Sequence, residues 1–213
     1  MSMAVLLNGI LATDSQMLNR IRERDEYISF GKKLFISPDN RAAIAVVGSE
    51  WDSIELALVW TFVQARLADF YLSYEQGQPL EFSDDERKLL TGASSRDKVF
   101  RRFFLITRTH AWSMKFDSDE GGILTVLDPL GYYAHGSECS SANIYYKAGF
   151  AAPEIISRIC RITNTCGGDV QMVKAADLEE YARTIPEKPA KKPRGTKPAS
   201  TKTPTTQRRS TLR

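Results

Sequence analysis

The residues most suited to chemistry lie at the start of the chain. Ser2 is small enough that we expect the initiator methionine to be removed, which makes Ser2 the N-terminus. The Asn-Gly pair at 8–9 separates two apolar segments and favours a two-residue type I′ turn. Because that turn fixes the strand pairing, Met3 should face Asp14, and Ser2 should lie beside the Asp14 carboxylate. The hairpin is therefore a candidate for catalysis, although many chains begin Met-Ser and an Asp at a strand end is commonly a turn residue.

Other reactive residue types do not form a recognisable site in the sequence. His110 and His135 are the only histidines, which leaves little material for a histidine-based triad. The chain lacks a zinc-ligand pattern, a phosphate-binding glycine loop and a dinucleotide fingerprint, so we expect no metal and no organic cofactor. No cysteine has an obvious neighbouring base, and buried structural thiols are favoured over a cysteine nucleophile for Cys139, Cys160 and Cys166.

The hydrophobic pattern predicts strands and helices in separate groups. After the first hairpin, a second strand pair is expected over 34–37 and 41–48, with the latter apolar enough to be buried on both faces. A long helix follows over 53–74. The later elements are strands at 103–109, 111–117, 123–127 and 132–134, helices at 141–148 and 153–163, a strand at 170–173 and a short helix near 178–183. This grouping predicts an α+β fold rather than an alternating parallel sheet.

The charge of the chain is concentrated in its C-terminal segment. Residues 186–213 contain nine Lys or Arg and one acid, a formal charge of +8, which leaves −5 for residues 1–185 out of a total of +3. The segment also holds five of the nine prolines and very few apolar residues. We therefore predict one folded domain over 1–185 and a disordered basic tail over 186–213. The acidic body excludes a uniformly basic nucleic-acid-binding domain.

The sequence predicts no membrane segment and a cytoplasmic location. The longest strongly apolar stretch, 56–65, is far shorter than the ~20 residues of a membrane-spanning helix. The N-terminus shows no secretory leader, and an odd number of cysteines suits a reducing compartment.

The order of several weak motifs is more specific than any one of them. An apolar strand ends in Leu11-Ala-Thr-Asp-Ser15, and Lys33 opens the next predicted strand. An alanine-rich strand ending in Gly48 precedes the long helix, and the turn Asp128-Pro-Leu-Gly131 leads through a strand to Gly136-Ser137. This order, over most of residues 2–175, resembles the N-terminal-nucleophile (Ntn) hydrolases of the proteasome β-subunit type, including bacterial ring-forming relatives and chains encoded by bacteriophages.

The resemblance implies a four-layer αββα sandwich that cleaves peptide or amide bonds, acting on peptides or proteins as a homo-oligomeric ring. It assigns the nucleophile to the Ser2 hydroxyl and the general base to the α-amine of the same residue. Lys33 would lower the pKa of that amine, Asp14 would hold Lys33 in place, and Ser137 would hydrogen-bond the amine. The backbone N–H of Gly48 would stabilise the oxyanion.

Three departures from the family pattern bear on activity. The Asp-x-x-Ser-Gly of the family is Thr163-Asn-Thr-Cys166-Gly here, so Thr163 and Cys166 form an altered supporting shell without its carboxylate. Glu138 replaces the glycine after the Gly-Ser step, and Ser2 replaces the usual Thr. The alternative function is therefore a catalytically inactive proteasome-like structural or interaction protein. In either case the basic tail could contact a polyanion such as nucleic acid, or a neighbouring subunit, or serve only as a solubilising extension.

Overall fold

The structure is a computed structural model that describes residues 3–22, 25–48, 53–77, 80–86, 101–117 and 121–180. Eleven strands are present among these residues: β1 (Met3–Leu7), β2 (Ile10–Thr13), β3 (Gln16–Arg22), β4 (Asp25–Phe30), β5 (Leu34–Ile36), β6 (Ala42–Gly48), β7 (Arg101–Thr107), β8 (Ala111–Asp117), β9 (Gly121–Leu127), β10 (Tyr132–Gly136) and β11 (Gln171–Lys174). The helices are α1 (Ser53–Gln76), α2 (Cys139–Lys147) and α3 (Ala152–Ile162), followed by a 3-10 turn at Ala175–Asp177.

Two antiparallel sheets form the middle of the molecule. The first has the strand order β10-β1-β2-β11, and the second has the order β5-β6-β7-β8-β9. Buried apolar side chains from both sheets pack together between them, among them Leu6, Leu11, Ala45 and Phe104. The antiparallel hairpin β3-β4 forms a small sheet of its own.

Helices cover both outer faces of this pair of sheets. One face of α1 buries Phe62, Val63, Leu67 and Phe70 against the five-stranded sheet, where they meet Trp112. On the other side α2 and α3 cover the four-stranded sheet, and the buried isoleucines of α3 pack against its outward side chains. Because successive side chains of a strand point to opposite faces, the inner strands are apolar at consecutive positions. The described layers are therefore helix, sheet, sheet and helix, as the predicted αββα sandwich requires.

The first hairpin has the predicted register and turn. Leu7 pairs with Ile10 and Ala4 with Thr13, so that paired positions add up to 17. Asn8 and Gly9 both have positive φ, at 51° and 72°, as a type I′ turn requires. On its other side β1 pairs with β10, with Met3 opposite Gly136.

Most predicted elements agree with the structure within a few residues, but the β3-β4 hairpin was missed. The residues of its two strands do not alternate cleanly between apolar and polar types, so periodicity gave a weak signal. The short helix predicted near 178–183 is wrong over residues 178–180, which are not helical and follow the 3-10 turn at Ala175–Asp177. Its remaining residues lie outside the described ones. The predicted boundary at residue 185 and the basic tail lie outside the described residues.

Candidate active site

Asp14 and Lys33 form a buried ion pair at one end of the two sheets. Lys33 Nζ lies 3.0 Å from Asp14 Oδ1 and 3.1 Å from Oδ2. Asp14 is fully buried and Lys33 is 5% exposed. Charges in such a place are tolerated when they are paired and hydrogen-bonded. The fold thus brings together two of the residues that the sequence singled out, one just after β2 and one just before β5.

The Asp14 carboxylate also holds the beginning of β1. Its Oδ1 accepts a hydrogen bond from the Met3 N–H at 2.9 Å. Its Oδ2 accepts a longer one, 3.4 Å, from the Gly167 N–H. One carboxylate therefore links Lys33 to the peptide group that joins residues 2 and 3. Ser2 itself lies outside the described residues.

Burial changes the proton affinity of Lys33. It lowers the pKa of the Lys33 ammonium from its ordinary 10.5, while the charge and hydrogen bonds of Asp14 raise it in opposition. A cation in this poorly solvated position acts on neighbouring groups with little screening by water. A nearby amine would accordingly lose its proton more readily.

Ser137 lies beside the same strand. It follows Gly136, the strand partner of Met3, and its hydroxyl is exposed. Ser137 Oγ donates to Thr165 Oγ1 at 3.3 Å, and Thr165 Oγ1 in turn donates to Glu138 Oε1 at 2.9 Å. The Thr165 hydroxyl therefore links the Ser137 hydroxyl to the Glu138 carboxylate.

Two of the departures from the family pattern meet at the Thr165 hydroxyl. Thr163 Oγ1 lies 3.3 Å from Thr165 Oγ1, and it donates its own proton to the Ile159 carbonyl at the end of α3. Glu138, the residue that replaces a glycine, supplies a carboxylate to that same Thr165 and also accepts a hydrogen bond from Ser141 at 3.2 Å. The carboxylate next to these hydroxyls is therefore that of Glu138, and position 163 supplies none.

The thiols of the chain are poor nucleophiles. Cys166 is 1% exposed, and burial, together with the Asp14 charge, raises the pKa of its thiol. Burial also raises the pKa of Cys139, and it raises the pKa of Cys160 to about 11. A thiol must ionise to attack. The expectation of a buried thiol fits Cys166, whereas Cys139 and Cys160 are only partly buried.

Gly48 occupies the last position of β6, where it pairs with Arg101. The same strand contacts the Lys33 segment, because the Val46 N–H donates to the Lys33 carbonyl at 3.1 Å. The β6 strand is thus joined to the ion pair through Lys33.

Among the described residues there is no group of three or more His, Cys, Asp or Glu side chains that could hold a metal ion. Within the same part of the chain, no helix has the length and apolar character needed to cross a membrane.

Two solved structures share this architecture. Eukaryotic HslV from Trypanosoma brucei aligns with a TM-score of 0.52 at 13% identity, over 81% of this chain and 98% of its own. A Gly-1 mutant of Anbu from Hyphomicrobium sp. strain MC1 aligns with a TM-score of 0.51 at 10% identity, over 86% of this chain and 85% of its own. The chain has the proteasome-like Ntn-hydrolase fold. No family model and no curated protein matches its sequence.

The proteasome-like Ntn fold of this chain includes a close contact that sequence reasoning missed. A Gly-Gly pair such as Gly167-Gly168 is typical of a turn, and the sequence does not show which segment it contacts. The Gly167 carbonyl accepts hydrogen bonds from the N–H groups of Ser15 and Gln16, at 3.2 and 3.0 Å. A Cβ on Gly168 would overlap Ser15 Oγ and the Phe30 ring. This glycine pair lets the loop approach the end of the hairpin, and the Gly-Gly sequence was its only available signal.

Proposed function

We propose that the chain is an Ntn hydrolase that cleaves peptide or amide bonds with Ser2. The observation that carries the proposal is the bridge made by Asp14, which binds both the Met3 N–H and the Lys33 ammonium. Removal of Met1 would leave Ser2 with a hydroxyl and a free amine, one residue from that bridge.

The reaction would begin with proton transfer from Ser2 Oγ to its own α-amine as Oγ bonds to the substrate carbonyl carbon. An α-amine has an ordinary pKa of about 7.7–8, close to what a general base needs at neutral pH. The Lys33 charge would lower that pKa and increase the fraction of free amine. Ser137 Oγ, which donates its own proton to Thr165, keeps lone pairs for an N–H of the amine.

The tetrahedral intermediate would collapse when the ammonium returns the proton to the leaving nitrogen and the carbon–nitrogen bond breaks. Donation from the Gly48 N–H to the oxyanion would stabilise this intermediate. The amine half of the substrate leaves, and the acyl half remains as an ester on Ser2 Oγ. Water, deprotonated by the same amine, would then attack the ester and regenerate the hydroxyl.

Hydrolysis of a panel of peptide amides by the full chain tests this proposal. Ser2→Ala should abolish turnover, since no other hydroxyl can replace the nucleophile at the terminus. Ser140→Ala changes an exposed serine on α2 and serves as the matched control. Turnover that persists in Ser2→Ala would rule out the assignment.

A specific observation favours the non-catalytic alternative. Thr163 stands where the resemblance implies a carboxylate, and its hydroxyl is used by the Ile159 carbonyl. A wild-type protein that has lost Met1 but neither hydrolyses amides nor reacts at Ser2 would support a structural or interaction role.

The resemblance also supports self-association as a homo-oligomeric ring, and the odd number of cysteines suits a cytoplasmic protein. The +8 tail suits a polyanion or a neighbouring subunit. Comparison of the full chain with one ending at residue 185 separates these partners. Loss of salt-sensitive nucleic-acid binding would identify a polyanion, whereas a salt-sensitive fall in oligomer mass would identify subunit docking.

A further inference from the structure

The backbone around Lys33 is held by a single side chain from the opposite sheet. Gln171, the first residue of β11, accepts hydrogen bonds at its Oε1 from the Lys33 and Leu34 N–H groups, at 2.9 and 3.0 Å. Its Nε2 donates to the Gly31 carbonyl at 2.8 Å. Three backbone groups within four residues are thus satisfied by one amide.

The position of Gln171 places it next to the other residue that holds Lys33. Gln171 pairs with Thr13 across β11 and β2, and Asp14 follows Thr13. Asp14 therefore binds the Lys33 side chain while the neighbouring Gln171 binds the Lys33 main chain. Lys33 is fixed at both ends from the four-stranded sheet, although its own segment leads into the five-stranded one.

The contacts require both halves of an amide group. Two N–H groups face one end of the Gln171 side chain and a carbonyl faces the other, so an acceptor and a donor are both needed. Glutamate at neutral pH supplies only acceptors, and an apolar side chain supplies neither.

We propose that Gln171 is a positioning residue for Lys33: by fixing the backbone of residues 31–34, it sets where the Lys33 ammonium lies on Asp14. The proposal deepens the proposed function, since it assigns Gln171 to the geometry of the same site. A purely structural role, in which Gln171 only ties β11 to the Lys33 segment, predicts a loss of stability and no change at Lys33.

Gln171→Met keeps the length of the side chain and removes all three hydrogen bonds. Turnover should fall roughly 10- to 100-fold through kcat with KM nearly unchanged, because small misplacements of a catalytic group have effects of this size. The acid limb of the pH profile should also move to higher pH, since a displaced cation lowers the pKa of the amine less. Gln64→Met, at an exposed position of α1, is the control. A folded Gln171→Met protein with wild-type kcat and pH profile would overturn the proposal.

A second readout does not depend on turnover. Lysines labelled with ¹³C at Cε report the titration of Lys33, assigned by its absence in Lys33→Met. In the wild type Lys33 should titrate below 10.5, and in Gln171→Met it should move toward 10.5 as the ammonium leaves its buried position. If the wild type does not hydrolyse amides but the Lys33 titration still moves in Gln171→Met, the result would count against the proposed function and not against the role of Gln171. An unchanged titration would count against Gln171 whether or not the protein is active. If Gln171→Met does not fold, the same measurements are made on Gln171→Glu, which places an acceptor instead of a donor against the Gly31 carbonyl. Its kcat should be lower than that of the wild type, and wild-type kcat with wild-type titration would again overturn the proposal.

Discussion

The Asp14 carboxylate binds the Lys33 ammonium at 3.0 Å in a place where both side chains are almost fully buried. Neither charge can recover its hydration there if the other is removed. The same pair therefore affects stability as well as any reaction, and the two effects can be separated by single and double substitutions.

Single substitutions of the pair should be strongly destabilising. Asp14→Asn leaves the Lys33 charge without its partner, and Lys33→Met does the same to Asp14. Each should lower the free energy of unfolding by about 3–5 kcal/mol, as is typical of broken buried pairs. Denaturant unfolding measures both.

The double variant Asp14→Asn/Lys33→Met should be more stable than the sum of the single losses predicts. Removal of both charges leaves neither unpaired. Losses that simply add would mean that the pair is not coupled in solution.

Gly168→Ala should destabilise more than Gly77→Ala. Both glycines have positive φ, at 74° and 61°, so both substitutions strain the backbone. A Cβ at Gly77 would meet nothing within 4 Å, whereas at Gly168 it would overlap Ser15 and Phe30. The difference in unfolding free energy should be roughly 1–3 kcal/mol. Equal losses would show that the loop yields to the added methyl group.

His135 should make stability depend on pH. Burial and the nearby Arg102 lower the pKa of His135 from 6.5 to about 4. Since arginine only donates, His135 Nδ1 accepts from Arg102 at 3.0 Å and Nε2–H donates to Ser113 Oγ at 2.8 Å. The imidazole is therefore neutral and is not a base for Ser113.

The unfolded chain binds a proton at His135 more readily than the folded chain does. The contribution of neutral His135 to the free energy of unfolding is therefore complete above about pH 6.5 and is lost as the pH falls toward 4. Between pH 7 and pH 5 the wild type should lose about 2 kcal/mol more than His135→Gln. Urea unfolding at the two pH values decides this. Parallel losses in both proteins would show that His135 is solvated in the native state.

Local signals in the sequence predicted much of the fold. The Asn-Gly turn fixed the register of β1 and β2, which placed Asp14 next to Met3, and the consecutive apolar residues of β6 indicated a strand covered on both faces. The segment Ser83-Asp-Asp-Glu86 has the sequence typical of a capping box, and Ser83 and Glu86 exchange the two hydrogen bonds of that motif. These features depend on residues close together in the chain.

The contacts that sequence did not predict join distant segments. Gln171 binds Lys33 across 138 positions, and the Gly167 N–H reaches Asp14 across 153. A glutamine at the start of a strand has no local pattern that shows its partner. The contact of Glu138 with Thr165 was missed for the same reason, since it requires the start of α2 to lie against the loop after α3.

The most direct test of the central claim is covalent labelling of Ser2 by an electrophile that bonds to the hydroxyl and the amine of one residue. Intact mass should show the full-length chain without Met1 and with one added label, and peptide analysis should place that label on Ser2. Ser2→Ala should remain unlabelled, and Lys33→Met should label more slowly. A folded wild-type protein that retains Met1, carries an acetylated N-terminus or takes up no label at Ser2 would contradict the account.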